Sequence, residues 1–141
     1  MIGMPVGPSL RQLHAHRAIH EGGLAGAASK TTDVIRALEA GELELANTAA
    51  DDLLDYWETR IIAHADSEED GFYQEVVDRD PAKQDAVTQL IRDHDLMRII
   101  AADIRELRKD EGLSRDVMMK FHALMIVNEI HSRDEERLLL G

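Results

Sequence analysis

Apolar residues return every three or four positions through most of the chain, and no stretch alternates apolar and polar residues for long. The first pattern marks one face of an α-helix; the second would mark a half-buried strand. The pattern predicts four helices. The first begins near Ser9, after Pro8, and runs to about Ala40, with Gly41 as a natural stop. Its Gly22-Gly23 pair and the run Ser29-Lys30-Thr31-Thr32 are poor helix formers, so a kink or break is expected there. The second helix runs from about Leu43 to Val77. Asp80 caps the third and Pro81 opens it; it extends to about Lys109. Gly112 ends that helix, and Ser114 caps a fourth that reaches about Leu139. Short connections between long helices make neighbours antiparallel. The expected architecture is all-α, an up-down-up-down antiparallel four-helix bundle over residues 9–141, preceded by an N-terminal tail, residues 1–8.

Each helix must bury one stripe. In the second helix the stripe reads Leu53, Trp57, Ile61, His64, Glu68, Phe72. In the third it reads Val87, Leu90, His94, Met97, Ala101, Ile104. In the fourth it reads Val117, Phe121, Leu124, His131, Glu135, Leu138, and in the first it includes Leu10, Leu13, His16, His20, Leu24 and Ala27. His14 and His122 fall off these faces and are expected at the surface. Trp57, Phe121, Met118, Met119 and Met125 are read as core. Tyr56 and Tyr73 adjoin stripe positions and are read as structural.

Histidines and two glutamates thus stand on faces that should be dry. A buried carboxylate is costly unless it is paired or bound to a metal. Depth along the bundle gives a separate test, because every helical residue rises equally. Reflected across a turn near residue 42, the level of His64 and Glu68 falls between His16 and His20. Across a turn near 80 it falls on His94, and from there across a turn near 112 it falls beside His131. All four helices bring a histidine to one level.

Charge and composition narrow the chemistry. The 141 residues suit one domain, and the formal net charge of −12 disfavours nucleic acid. There are no cysteines, which excludes disulfides, thiolate metal sites and cysteine nucleophiles. No signal-like start and no membrane-length apolar run are seen, so a cytoplasmic protein is expected. The pairs His64-x-x-x-Glu68, in HADSEED, and His131-x-x-x-Glu135, in HSRDEER, each put imidazole and carboxylate on one helix face. Such a set, without thiolate, suits iron, manganese or zinc, and five histidines with two carboxylates exceed what one tetrahedral zinc uses. The metal-ligand candidates are His16, His20, His64, Glu68, His94, His131 and Glu135. His16, His20 or both, and Glu135 or its neighbour Glu136, remain open choices.

The ordered pattern of His16-Arg17, His64-x-x-x-Glu68, His94 and His131-x-x-x-Glu135, with Glu68-Glu69 followed by Phe72, resembles the hemerythrin-like, or HHE cation-binding, domain family over nearly the whole chain. The resemblance implies a non-haem di-iron centre, two iron ions with oxo or hydroxo bridges inside the bundle. It implies bridging roles for Glu68 and Glu135 and terminal roles for the histidines. Two positions depart from the oxygen carriers of that family: Arg98 replaces a second helix-3 histidine, and Glu135 stands four residues after His131 where they have an aspartate at five. His20, one turn after His16, is expected to supply the missing ligand. The implied function is binding or sensing of a small ligand (dioxygen, nitric oxide or peroxide) or handling of iron. The alternatives are a di-iron enzyme degrading peroxide or acting as an oxidase, in which Arg98 either points inward to a bound peroxide or stays at the surface, and a metal-free helical interaction module. A homodimer or another protein partner stays open, and no catalytic residue is assigned.

Overall fold

A computed structural model describes residues 10–140, with side chains from Leu13 onward. The expected tail, Ser9, the side chain of Leu10 and Gly141 lie outside the described residues. Every regular element among the described residues is helical, in four stretches joined by short turns.

The first stretch is α1 (Leu10–Glu39), and it is unbroken. The expected break at Gly22-Gly23 and Ser29 to Thr32 is absent because packing overrides local propensity. Thr31 is buried and satisfies its hydroxyl on the Ala27 carbonyl, at 2.7 Å. Tyr56 donates to the Gly23 carbonyl, at 2.9 Å. Gly41, at φ +72°, closes the helix: its N–H bonds Leu38 O at 3.0 Å, and the Glu42 N–H bonds Ala37 O at 2.9 Å. This pair of bonds satisfies carbonyls that the helix end leaves open.

The second stretch departs from the single rod expected over Leu43 to Val77. It comprises α2 (Leu43–Tyr56), a π-helical segment (Trp57–Ile62), α3 (Ala63–Asp70) and, beyond Gly71, α4 (Phe72–Arg79). The wider π turns and the break at Gly71 shift the buried face. Leu53, Trp57 and Glu68 are buried as expected, Ile61 and Phe72 are half-buried, and Tyr73 is buried instead.

The third stretch opens with a 3₁₀ turn (Pro81–Lys83) and continues as α5 (Gln84–Glu111). Asp80 Oδ1 accepts from the Ala82 N–H at 3.2 Å, the cap expected there. The buried residues of α5 are Val87, Leu90, His94, Met97, Ala101 and Ile104, the six of the expected stripe. The fourth stretch is α6 (Arg115–Glu135), running into a second π-helical segment (Glu136–Leu140). Ser114 Oγ accepts from the Val117 N–H at 3.2 Å.

Two apolar clusters fill the interior. The larger includes Ala27, Val34, Leu53, Trp57, Met97, Ile104, Phe121 and Leu124; the smaller joins Tyr73, Val87, Leu90, Leu139 and Leu140. Met118 and Met125 pack against the larger one, but Met119 is 58% exposed, against expectation. One residue further along a helix is about 100° round it, so neighbours Met118 and Met119 cannot share a face. Along α5, His94 falls between Leu90 and Met97, one from each cluster. Along α6 and the π-helical segment that continues it, His131 and Glu135 fall between Leu124 and Leu139. The polar centre is thus walled above and below by apolar side chains. No helix among the described residues is long and apolar enough to cross a membrane.

Candidate metal centre

The level that the sequence implies exists. α1 contributes His16 and His20, α3 contributes His64 and Glu68, α5 contributes His94, and α6 contributes His131 and Glu135. Two groups of donor atoms form there, each with all atoms within 4.8 Å of one another: His16, His20, Glu68 and Glu135; and Glu68, His94, His131 and Glu135. Glu68 and Glu135 belong to both groups. His14 and His122 are exposed, as expected.

Glu135 is the centre's hub. His20 Nε2 lies 3.1 Å and His16 Nδ1 3.5 Å from its Oε1, and His131 Nε2 lies 3.3 Å from its Oε2. Glu68 Oε1 lies 3.5 Å from His94 Nε2. His94 Nε2 and His131 Nε2 face each other at 3.0 Å. His20 is turned inward, as its expected role requires. His64 sits at the margin: its side chain is 36% exposed, its Nε2 is 3.7 Å from Glu68 Oε2, and it belongs to neither group of four. Between Glu135 and Glu136 the geometry separates two roles. Glu135 is fully buried in the cluster, whereas Glu136 sits behind it on His20 Nδ1, at 3.0 Å, and on Arg17 Nε, at 2.7 Å.

Three inward imidazoles are held from behind by carboxylates. His94 Nδ1 meets Glu69 Oε2 at 2.7 Å, His131 Nδ1 meets Asp93 Oδ2 at 3.0 Å, and His20 Nδ1 meets Glu136. An outer carboxylate fixes the tautomer and ring orientation and leaves Nε2 free for a metal. In the sequence Glu69 looks like a solvated neighbour, and nothing there gives Asp93 a role. Their signal is only that each stands next to an inward residue, Glu68 or His94. Arg98 does not point into the cluster and lies nearer the surface place expected for it, partly exposed among exposed acids. Its guanidinium spans Asp66 at 2.6 Å, Glu69 at 2.5 Å and Asp95 at 2.8 Å, so it braces the carboxylate behind His94. Tyr73, expected to be structural, reaches the cluster: its hydroxyl donates to Glu135 Oε2, and its ring stacks on that of His94 with centroids 5.5 Å apart.

Burial and crowding distribute the protons. Burial, reinforced by Glu135, raises the Glu68 carboxyl far above the usual carboxylate range. Burial also acts to raise Glu135, but the close approach of His131, His16 and His20 and the proton on Glu68 outweigh it and hold Glu135 below the usual carboxylate range. His131 is depressed by burial yet raised by Asp93 and Glu135, to about 9 in sum. His94 is lowered by burial and by the neighbouring His131 charge. The opposed shifts favour the proton on His131 over His94, whose Nε2 atoms face each other.

The residues fit a metal. Among the described residues, six buried side-chain polar atoms lack a hydrogen-bond partner, and four are donor atoms at this level: His16 Nδ1, His64 Nε2, Glu68 Oε2 and Glu135 Oε1. Unsatisfied buried polar groups are rare and costly, and a bound cation is one way to satisfy them. Imidazole nitrogen and carboxylate oxygen match the chemistry of iron, manganese or zinc. No protein-family model, no curated protein and no solved structure matches this chain.

Proposed function

We propose that the chain is a hemerythrin-like protein, an up-down-up-down antiparallel bundle in which His16, His20, His64, Glu68, His94, His131 and Glu135 hold two iron ions. Its function in this reading is to bind or sense a small ligand such as dioxygen, nitric oxide or peroxide. One observation carries it: two groups of donor atoms share Glu68 and Glu135. A carboxylate common to two groups is what a bridge between two metals requires. The antiparallel topology is supported by contacts that run in reverse order between neighbours. Gly26 faces Tyr56 while Gly23 faces Ile61. His131 meets His94 while Lys120 meets Asp103. His20 meets Glu136 while Thr31 meets Met125.

When bound, iron supplies electrons and an exchangeable coordination position. The chain's own residues do the rest. Glu69, Asp93 and Glu136 orient His94, His131 and His20. Tyr73 holds a proton against Glu135 Oε2. Trp57, Met97 and Leu124 on one side and Leu90 and Leu139 on the other pack above and below the level.

The test is anaerobic loading with ferrous iron, metal analysis, and the ultraviolet–visible spectrum on adding dioxygen, nitric oxide or peroxide. A new spectrum is expected with at least one of the three. No spectral response from the iron-loaded protein to any of them overturns the reading. Steady consumption of peroxide assigns the centre to an enzyme instead.

A further inference from the structure

A cavity of about 630 Å³ opens beside the centre. Its floor includes His20, His64, Glu68, His94 and His131. Its walls are mostly apolar, with Ile19, Gly23, Ile61, Ala65 and Met97, and the exposed Thr59 and Arg60 also line it. Ile19 is half exposed and stands at the mouth.

Size is the first argument. A water molecule takes about 30 Å³ of liquid, so the cavity has room for about twenty. A diatomic molecule fills a small fraction of that. Cavities of roughly 300–1,000 Å³ are the range in which organic ligands are held. The lining is the second argument. Asn128 is 7% exposed, lines the cavity one turn before His131, and forms no hydrogen bond to another described residue. It is a buried amide beside the histidine floor, the kind of group that fixes a ligand's orientation. Charge is the third. The protein carries a net −12, which disfavours an anionic ligand.

We infer that this cavity binds a neutral organic molecule with an apolar body and one carbonyl or hydroxyl group, which Asn128 bonds while the molecule lies against the histidine floor. The inference deepens the proposed function and rests on it for the reactivity of the floor, but the binding itself stands on the cavity. Gly23 offers a way to close the space. A side chain there points at Ile61, whose Cγ1 lies 3.8 Å from an added Cβ, so small groups are tolerated and larger ones fill the cavity.

The probe is prodan, a neutral naphthyl ketone whose emission shifts to the blue in apolar surroundings. Titration of the full chain, with and without iron, is expected to show saturable binding of one molecule per chain. Gly23→Leu should weaken it about tenfold or more by filling the space. Asn128→Leu should weaken it about two- to tenfold, the effect of one hydrogen bond. Circular dichroism checks that each variant folds, and if one does not, the other decides. Absence of saturable binding to the natural chain overturns the inference, as does unchanged binding to the folded variants. Iron loading without prodan binding rejects this inference and leaves the metal reading standing. Prodan binding without iron loading does the reverse.

Discussion

Asp93 and His131 meet across α5 and α6 with Oδ2 3.0 Å from Nδ1, while the other nitrogen of the same ring points at Glu135. The adjacent residue, His94, about 100° round the helix, faces into the cluster and meets Nε2 of the same ring. One pair of neighbours on α5 thus supplies both a candidate ligand and the carboxylate that orients another. Asp93→Asn keeps the shape and removes the charge. It should lower metal affinity about 10- to 100-fold, the range found for outer partners of ligating histidines. Competition against a chelator of known affinity measures this. Asp52→Asn, at an exposed position of α2, should leave the affinity unchanged.

Metal binding should release protons. His131 holds its proton up to about pH 9, and Glu68 is raised by burial and Glu135, so both are protonated at neutral pH without metal. Ligation needs their lone pairs. Affinity therefore falls as pH is lowered and rises with pH as His131, near 9, and then Glu68, raised to about 10, lose their protons. Calorimetry in buffers of differing ionisation enthalpy, between pH 6 and 8, should find more than one proton released per chain. Binding without proton release would count against protons on His131 and Glu68 in the metal-free chain.

Removal of metal should destabilise the fold, because Glu68, His16, His64 and Glu135 regain atoms without partners. Free metal at a hundred times its dissociation constant stabilises by about 2.7 kcal/mol. For a chain of this size that corresponds to a rise in melting temperature of about 5–10 °C. Thermal melts with and without chelator check it, and equal melts would show that the donor atoms are satisfied in another way.

Gly26 should be intolerant of a side chain. A Cβ there would overlap the Tyr56 hydroxyl and ring. Gly26→Ala is expected to cost about 1–3 kcal/mol despite its better helix propensity. Tyr56→Leu, which removes the overlapping atoms, should recover most of that loss when the two changes are combined. Denaturant unfolding of the single and double variants gives the coupling.

The fold is legible in the sequence where one helix runs without interruption. The six-residue stripe of α5 matches the six residues it buries, because a regular 3.6-residue period carries phase faithfully over its whole length. In the second stretch the period loses phase past Trp57. A π turn and the break at Gly71 add rotation that no hydrophobic period announces, so Phe72 is expected inside and Tyr73 is not. The inward residues stand out as polar groups on dry faces. Glu69 and Asp93 do not, because an acid beside a stripe looks like any other in a chain with 28 of them, and Glu136 stands out only as an alternative to Glu135. Only their partners across the helix interfaces distinguish them.

Glu68 and Glu135 are proposed to serve two metals at once, and everything said of the centre's chemistry depends on it. The most direct measurement is iron per folded chain, for the natural protein and for Glu68→Ala, after anaerobic loading and removal of free metal. Shared carboxylates predict close to two ions in the natural chain and loss of both, rather than one, in the variant. A natural chain that retains one ion or none, or a folded variant that still holds two, would contradict them.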